Sequence, residues 1–316
     1  MQVNRKIFLS IVTLLTIIVF IVAYLFYVMP INDHRIFGVT YMTMNNPFYE
    51  IINNELKKNI EKNGDRLITL DPQLDIDKQN EQIYSFIEQK VDGIFINPID
   101  AKKNEPALKA AKKAHIPIIT VDAPVTNKDL VNCTVVSDNY NAGVQCAKYM
   151  MSKLKSANIV LLKHTTALSA KQRIEGFLDT IDAHSEYKII NQGECKGQLE
   201  KAMPVMQRIL KETPEVDVVM ALNDPSALGA LAALESMGYE DVMVYGVDGT
   251  PDIKSLIEES PMVAGTVAQS PISIGKIAAK NMYDLLSGKE IGLNIVIPVE
   301  IITKENIAQF NKTGWQ

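Results

Sequence analysis

Cysteine, tryptophan and histidine are scarce in this chain. Its three cysteines, Cys133, Cys146 and Cys195, are too few and too scattered for a disulfide framework or a zinc site. Their odd number leaves at least one thiol unpaired. The four histidines, His34, His115, His164 and His184, fall into no Ser/His/Asp or metal-ligand spacing, so no catalytic residue and no metal site is assigned. There is no Gly-x-Gly-x-x-Gly turn after a strand and no P-loop, and no cofactor is therefore expected. No basic stripe interleaved with aromatics and no helix-turn-helix precede the first strand, which sets nucleic acid aside as a partner. Heptads, low-complexity tracts and Gly/Ser-rich linkers are also lacking.

What is present is apolar. Of 316 residues, 47% are hydrophobic and only 22% charged, enough for real cores and too little charge for disorder. The net charge is −5. From Ile7 to Met29 no charged side chain interrupts the sequence, a length that spans the roughly 30 Å hydrocarbon layer as one helix. Arg5 and Lys6 precede it, which places the N-terminus in the cytoplasm and everything beyond Pro30 outside. A cleaved signal segment has a shorter apolar stretch and a small-x-small site. Ala23 is the sole candidate here, and Tyr24-Leu25-Phe26-Tyr27 follow it. No cysteine follows closely enough for lipidation. The segment 1–30 is accordingly expected to be an uncleaved transmembrane anchor.

Beyond Arg35, short β-branched runs alternate with amphipathic stretches of helical length. The runs are Ile36–Met42, Arg66–Leu70, Gly93–Asn97, Pro117–Val121, Ile159–Leu162, Lys188–Ile190, Val216–Ala221, Val242–Val247 and Val263–Val267, and a helix Ile272–Ser287 with a strand Leu293–Pro298 returns to the first lobe. The helical stretches include Pro47–Asn63, Ile76–Gln89, Asn104–His115, Asn139–Leu154, Ser169–Ala183, Leu199–Thr213 and Ser226–Met237. This alternation predicts an α/β chain of βαβ units with parallel sheets covered on both faces. The strands are too many for one compact sheet. Two doubly wound lobes are expected, 35–137 with 270–297 and 138–269 with 298–316, joined by several short crossings that form a hinge.

Ligands of such sheets bind beyond the carboxyl ends of the strands. There stand Asn45-Asn46-Pro47-Phe48-Tyr49, Asn97-Pro98, Asp122, Asn223-Asp224, Asp248-Gly249 and Gln269. Short amide and carboxylate side chains beside aromatics suit a neutral polyol, whose hydroxyls both donate and accept and whose C–H face an aromatic ring covers.

These residues resemble those of a known family. Asn45-Asn46-Pro47-Phe48-Tyr49 is similar to the corresponding segment of ribose-binding proteins. In the same order come Ile116-Pro117-Ile118-Ile119-Thr120-Val121-Asp122, Ser137-Asp138-Asn139, Arg173-Ile174-Glu175-Gly176-Phe177, Ala221-Leu222-Asn223-Asp224, Gly246-Val247-Asp248-Gly249 and Thr266-Val267-Ala268-Gln269. As a collinear series they resemble the type I periplasmic binding proteins of the ribose/galactose/xylose group. The resemblance implies that Asn46, Phe48, Tyr49 and Asp122 meet the ligand from the first lobe. Arg173, Asn223, Asp248 and Gln269 would meet it from the second lobe and hinge. It also implies a monosaccharide, pentose or hexose, delivered to the membrane permease of an ABC transporter; the alternative is a sugar-sensing subunit of a membrane histidine kinase.

Each assignment has a plainer rival. Phe48 reads equally as a core aromatic, Asp122, Asp248 and Asn223 as caps, and Arg173 as a surface partner of Glu175. Two departures stand out. Ala123 occupies the place of an arginine in the ribose binders, which argues against assuming ribose. Glu194-Cys195-Lys196-Gly197-Gln198 lacks the aromatic that this segment usually brings. Cys195 and Trp315 read as a free structural thiol and a packing residue.

Overall fold

The structure, a computed structural model, describes residues 5–28 and 34–316, which divide into two units, 1–35 and 36–316. The first unit holds one helix, α1 (Arg5–Val28). Its side chains from Ile7 to Tyr24 are exposed and apolar, long enough to cross a membrane. Thr13 and Thr16 donate their hydroxyls to the carbonyls of Leu9 and Val12, so the helix satisfies its own few polar groups, as a span in lipid must. The expected end of the run at Met29 and the short link to the first strand lie outside the described residues.

The second unit contains twelve strands and nine helices among the described residues. Its first half reads β1 (Ile36–Thr40), α2 (Pro47–Glu61), β2 (Arg66–Leu70), α3 (Ile76–Glu88), β3 (Gly93–Ile96), α4 (Glu105–Lys113), β4 (Ile118–Val121), β5 (Cys133–Ser137), α5 (Asn139–Lys153) and β6 (Ala157–Lys163). There follow α6 (Leu168–Ile181), β7 (Tyr187–Glu194), α7 (Leu199–Glu212), β8 (Val218–Ala221), α8 (Asp224–Ser236), β9 (Met243–Asp248), α9 (Pro251–Glu259), β10 (Val263–Ala268), α10 (Pro271–Leu286), β11 (Asn294–Ile297) and β12 (Glu300–Thr303).

Two six-stranded sheets result, ordered β2-β1-β3-β4-β5-β11 and β7-β6-β8-β9-β10-β12. All pairings are parallel except that of β12, which runs antiparallel to β10. The central strands β3, β4, β5, β8 and β10 are buried along their whole length, as parallel strands covered on both faces are. The two sheets have the same winding, so β3 and β8, like β4 and β9, hold equivalent places. The chain passes between sheets three times, at Ser137–Asn139, Ala268–Pro271 and Ile297–Glu300.

Three elements escaped the sequence pattern: β5, β12 and α9. The first two are short runs with no polar alternation, and β12 begins only two residues after β11 ends. Elsewhere caps mark the boundaries. Asn46, Asp75, Asn223, Thr250 and Ser270 accept from the first free amides of α2, α3, α8, α9 and α10, satisfying donors that a helix start leaves open.

Helices α5 and α6 touch backbone to backbone. A Cβ on Gly143 would stand 1.8 Å from the carbonyl oxygen of Arg173, and one on Gly176 2.0 Å from that of Tyr140. Gly143→Ala is expected to cost about 3 kcal/mol by overpacking. Gly292→Ala, whose nearest neighbour would lie 3.7 Å away, should change stability by less than about 0.5 kcal/mol. Chemical denaturation of the two variants checks this.

Candidate functional site

The carboxyl ends of both sheets face one another across a cleft. Its walls include Met42, Asn46, Phe48, Tyr49, Leu74 and Asp122 from the first sheet's side. His164, Ser169, Arg173, Lys196, Gln198, Asn223 and Asp248 face them from the second. The enclosed cavity is about 30 Å³, room for a water molecule or two.

Arg173 is the centre of the site. Only 4% exposed, it points inward from α6, while Glu175, two residues on, pairs at the surface with Lys171 instead. Its Nε donates to Asn139 Oδ1 at 2.8 Å and its Nη1 to the Leu222 carbonyl at 2.9 Å. These bonds fix the guanidinium between two carboxylates. Nη1 lies 3.5 Å from Asp248 Oδ1, and Nη2 lies 3.9 Å from Asp122 Oδ1. The ion pair with Asp122 crosses the cleft.

Neither aspartate caps a helix. Asp122 ends β4 with φ +66° and Asp248 ends β9 with φ +147°, backbone regions that non-glycine residues avoid and that gather at binding sites. Asn97, after β3, donates to Asp122 Oδ2 at 3.1 Å, and Gln269 Nε2 donates to Asp248 Oδ1 at 2.7 Å. Among the site residues, three buried oxygens have no hydrogen-bond partner in the protein: Asp122 Oδ1, Asp248 Oδ2 and Gln269 Oε1. The cleft is an array of acceptors waiting for donors.

Burial dominates the electrostatics. It raises the Asp122 carboxyl from 3.8 to about 6, against the opposing pull of Arg173 and Asn97. Asp248 is pushed well above the usual carboxylate range, first by burial and then by the neighbouring Asp224. Asp224 itself, held by the Thr266 hydroxyl at 2.6 Å and the Thr250 amide at 2.8 Å, rises to about 6. His164 is lowered by burial. No three His, Cys, Asp or Glu side chains among the described residues stand together as metal ligands.

The structure thus brings Asn46, Phe48, Tyr49, Asp122, Arg173, Asn223 and Asp248 to the cavity wall, with Gln269 directly behind Asp248. Some keep their plainer roles too. Asn46 and Asn223 cap α2 and α8, and Phe48 packs on Tyr49 and Trp315. Sequence reasoning did not assign Met42, Leu74, His164, Lys196 or Gln198 to the site. Of these only Lys196 and Gln198 had a signal, the turn after β7 where an aromatic was looked for. Cys195, buried at this turn, donates its thiol to the Ser226 hydroxyl at 3.3 Å.

Two doubly wound lobes with a polar cleft between them define a ligand-binding protein. The Periplasmic binding protein domain model matches residues 37–290. The ribose import binding protein RbsB of Bacillus subtilis is 32% identical over 270 residues, 85% of this chain and 87% of its own. A galactofuranose binding protein superposes with a TM-score of 0.83 at 25% identity, covering 87% of this chain and 96% of its own. An ABC transporter solute binding protein from Bacillus halodurans with bound myo-inositol gives 0.80 at 27%, with the same coverages. The chain belongs to the periplasmic binding protein family, whose members bind ligands and are not enzymes. It is an extracytoplasmic binding protein preceded by an apolar helix.

The raised carboxyls set a pH dependence. Asp122 binds its proton more tightly folded than unfolded, so its contribution is fully present below about pH 3.8 and is lost as pH rises through about 6. Asp122→Asn removes that loss. Its stability relative to the unaltered protein should improve between pH 4 and 7, by on the order of 2 kcal/mol. Denaturation midpoints of both proteins across that range would contradict this if their difference stayed constant.

Proposed function

We propose that the lobes 35–137 with 270–297 and 138–269 with 298–316 close on a monosaccharide held by Asn46, Phe48, Tyr49, Asp122, Arg173, Asn223, Asp248 and Gln269, and that the closed form serves the permease of an ABC transporter. The chain is a sugar-binding solute-binding protein of the ABC-transporter class. One observation carries the finer reading: two buried carboxylate oxygens of cleft-wall residues, Asp122 Oδ1 and Asp248 Oδ2, lack donors, as does Gln269 Oε1 behind them. An unpaired buried acceptor costs about 1–3 kcal/mol, and a polyol brings O–H donors in adjacent pairs. Arg173, whose Nη2 is not hydrogen-bonded to Asp122 at 3.9 Å, supplies the complementary donor for a ring or hydroxyl oxygen.

A cavity of about 30 Å³ is smaller than a sugar ring. The lobes therefore part about their three crossings to admit the ligand and re-close around it, and ligand touching both sides favours the closed form. The relatives bind ribose, galactofuranose or, in one crystal structure, myo-inositol. Ala123, wholly buried beside Asp122, withholds the arginine of the ribose binders, so ligand choice is this chain's own.

The helix α1 is proposed to remain as an anchor with its N-terminus in the cytoplasm. A retained span supports a second reading as well, a sugar-sensing subunit of a membrane histidine kinase, since a sensor needs a fixed place beside its receptor. Peptide mass mapping of protein from the membrane fraction should recover residues N-terminal to Pro30; recovery of the soluble fraction alone, starting beyond it, would overturn the anchor.

The ligand reading is tested by melting the full chain in detergent with pentoses, hexoses, inositols and amino acids. A ligand that binds the native state raises the melting temperature by mass action. One sugar should do so, and Asp122→Ala and Arg173→Ala should each weaken it more than about tenfold while still melting cooperatively. Silence across all sugars, or normal affinity in both variants, would sink the assignment.

A further inference from the structure

The turn after β7 gives the cleft Lys196, Gly197 and Gln198, and no aromatic. An aromatic from another part of the chain stands behind the cleft wall. Trp315, the single tryptophan, packs edge-on against Phe48, with ring centroids 5.6 Å apart at 66°. Phe48 is 2% exposed and lines the cavity.

The tail that carries Trp315 is tied to the second lobe. Lys254 of α9, wholly buried, donates its Nζ to the carbonyls of Asn311 and Gly314, each at 2.5 Å. Asn311 Oδ1 accepts from the amides of Thr313 and Gly314 at 3.2 Å, closing a turn just before the tryptophan. Lys312 pairs with Glu258 of α9 at 2.7 Å. A buried ammonium is costly unless its donors are met. Here carbonyls of the tail meet them, so Lys254 fixes the tail and the tail covers Lys254.

We propose that Trp315 is a positioning residue of the sugar cleft: carried by the second lobe through the Lys254-pinned tail, it holds the Phe48 ring of the first lobe in place for the ligand. This rests on the reading that Phe48 meets the sugar. Trp315 does not itself line the cavity; it backs the first-lobe aromatic that does. Edge-to-face pairs of this kind correspond to roughly two- to tenfold in an equilibrium constant.

The test uses the full chain in detergent, where all indole fluorescence comes from Trp315. Without sugar, Phe48→Ala and Lys254→Gln should each shift emission to the red and raise acrylamide quenching about twofold; emission unchanged in both would overturn the seating of Trp315 on Phe48. D-ribose, D-galactose and myo-inositol are then titrated. For whichever binds, Trp315→Ala should weaken affinity about fivefold and Trp315→Phe less than about twofold. Trp315→Ala should have no further effect in a Phe48→Ala background. Unchanged affinity, or losses that simply add, would overturn the positioning role. If none of the three binds, whichever sugar of the melting screen does is titrated instead, and silence across that whole screen makes the sugar reading fail by itself. The same cycle is then read on the denaturation midpoint, where additivity overturns the Phe48–Trp315 pairing.

Discussion

The site depends on one buried guanidinium. Arg173 is the cation enclosed between Asp122 and Asp248, both 3% exposed. Taking such ions out of water costs several kcal/mol each, and Coulombic attraction offsets that only with good geometry and further hydrogen bonds. The geometry here is good for Arg173 and poor for the acids. The guanidinium spends its short hydrogen bonds on Asn139 and Leu222, and meets the carboxylates at 3.5 and 3.9 Å. Burial accordingly outweighs attraction, and Asp122 and Asp248 both titrate above their ordinary range. A closed cleft of this kind is held loosely by its own charges. Hydroxyls placed between them would improve every pair at once, which is how a neutral ligand comes to favour closure.

The repeated winding explains why the acids oppose one another. Asn97 and Asn223 come just after β3 and β8, Asp122 just after β4 and Asp248 at the end of β9, so equivalent strands of the two sheets carry them. Each aspartate takes a left-handed or positive-φ backbone that points its carboxylate off the strand end. One lobe adds what the other lacks. The second contributes Arg173 from a helix pressed so closely on α5 that glycine is required at the contact, and the first contributes the aromatic ledge of Phe48 and Tyr49.

Much of this was legible in the residues. Buried parallel strands leave unbroken apolar runs, and the polar residues that end them stand at the cleft because that is where such sheets open. The choice between Glu175 and the interior for Arg173 was not legible, since helical spacing allows either; burial decided it. Residues 133–137 and 300–303 were missed as strands because pairing with neighbours distant in sequence, not local pattern, makes them so. His164 and Leu74 carry no chemical signature in sequence. Trp315 lies far from Phe48 along the chain, and nothing local to either residue announces their contact.

The hinge and the site share side chains, and this couples them. Asn139 opens α5 just past the first crossing, where its Nδ2 donates to the Ser137 carbonyl while its Oδ1 holds Arg173. Gln269 stands at the second crossing, its backbone amide donating to the Asp248 carbonyl and its side chain to the Asp248 carboxylate. Rotation of the lobes about these crossings therefore re-aims the guanidinium and one carboxylate directly, without any longer chain of contacts. The third crossing is braced by Gln145, which donates to the Val299 carbonyl and accepts from the Ile301 amide, so it bends at a place α5 controls. Two of the three strands of the hinge are thus built from groups that also set the polar cage. On the proposed function, a sugar that reorders the cage would act on the hinge by the same hydrogen bonds, and that identity of parts would let a small ligand govern the position of an entire lobe.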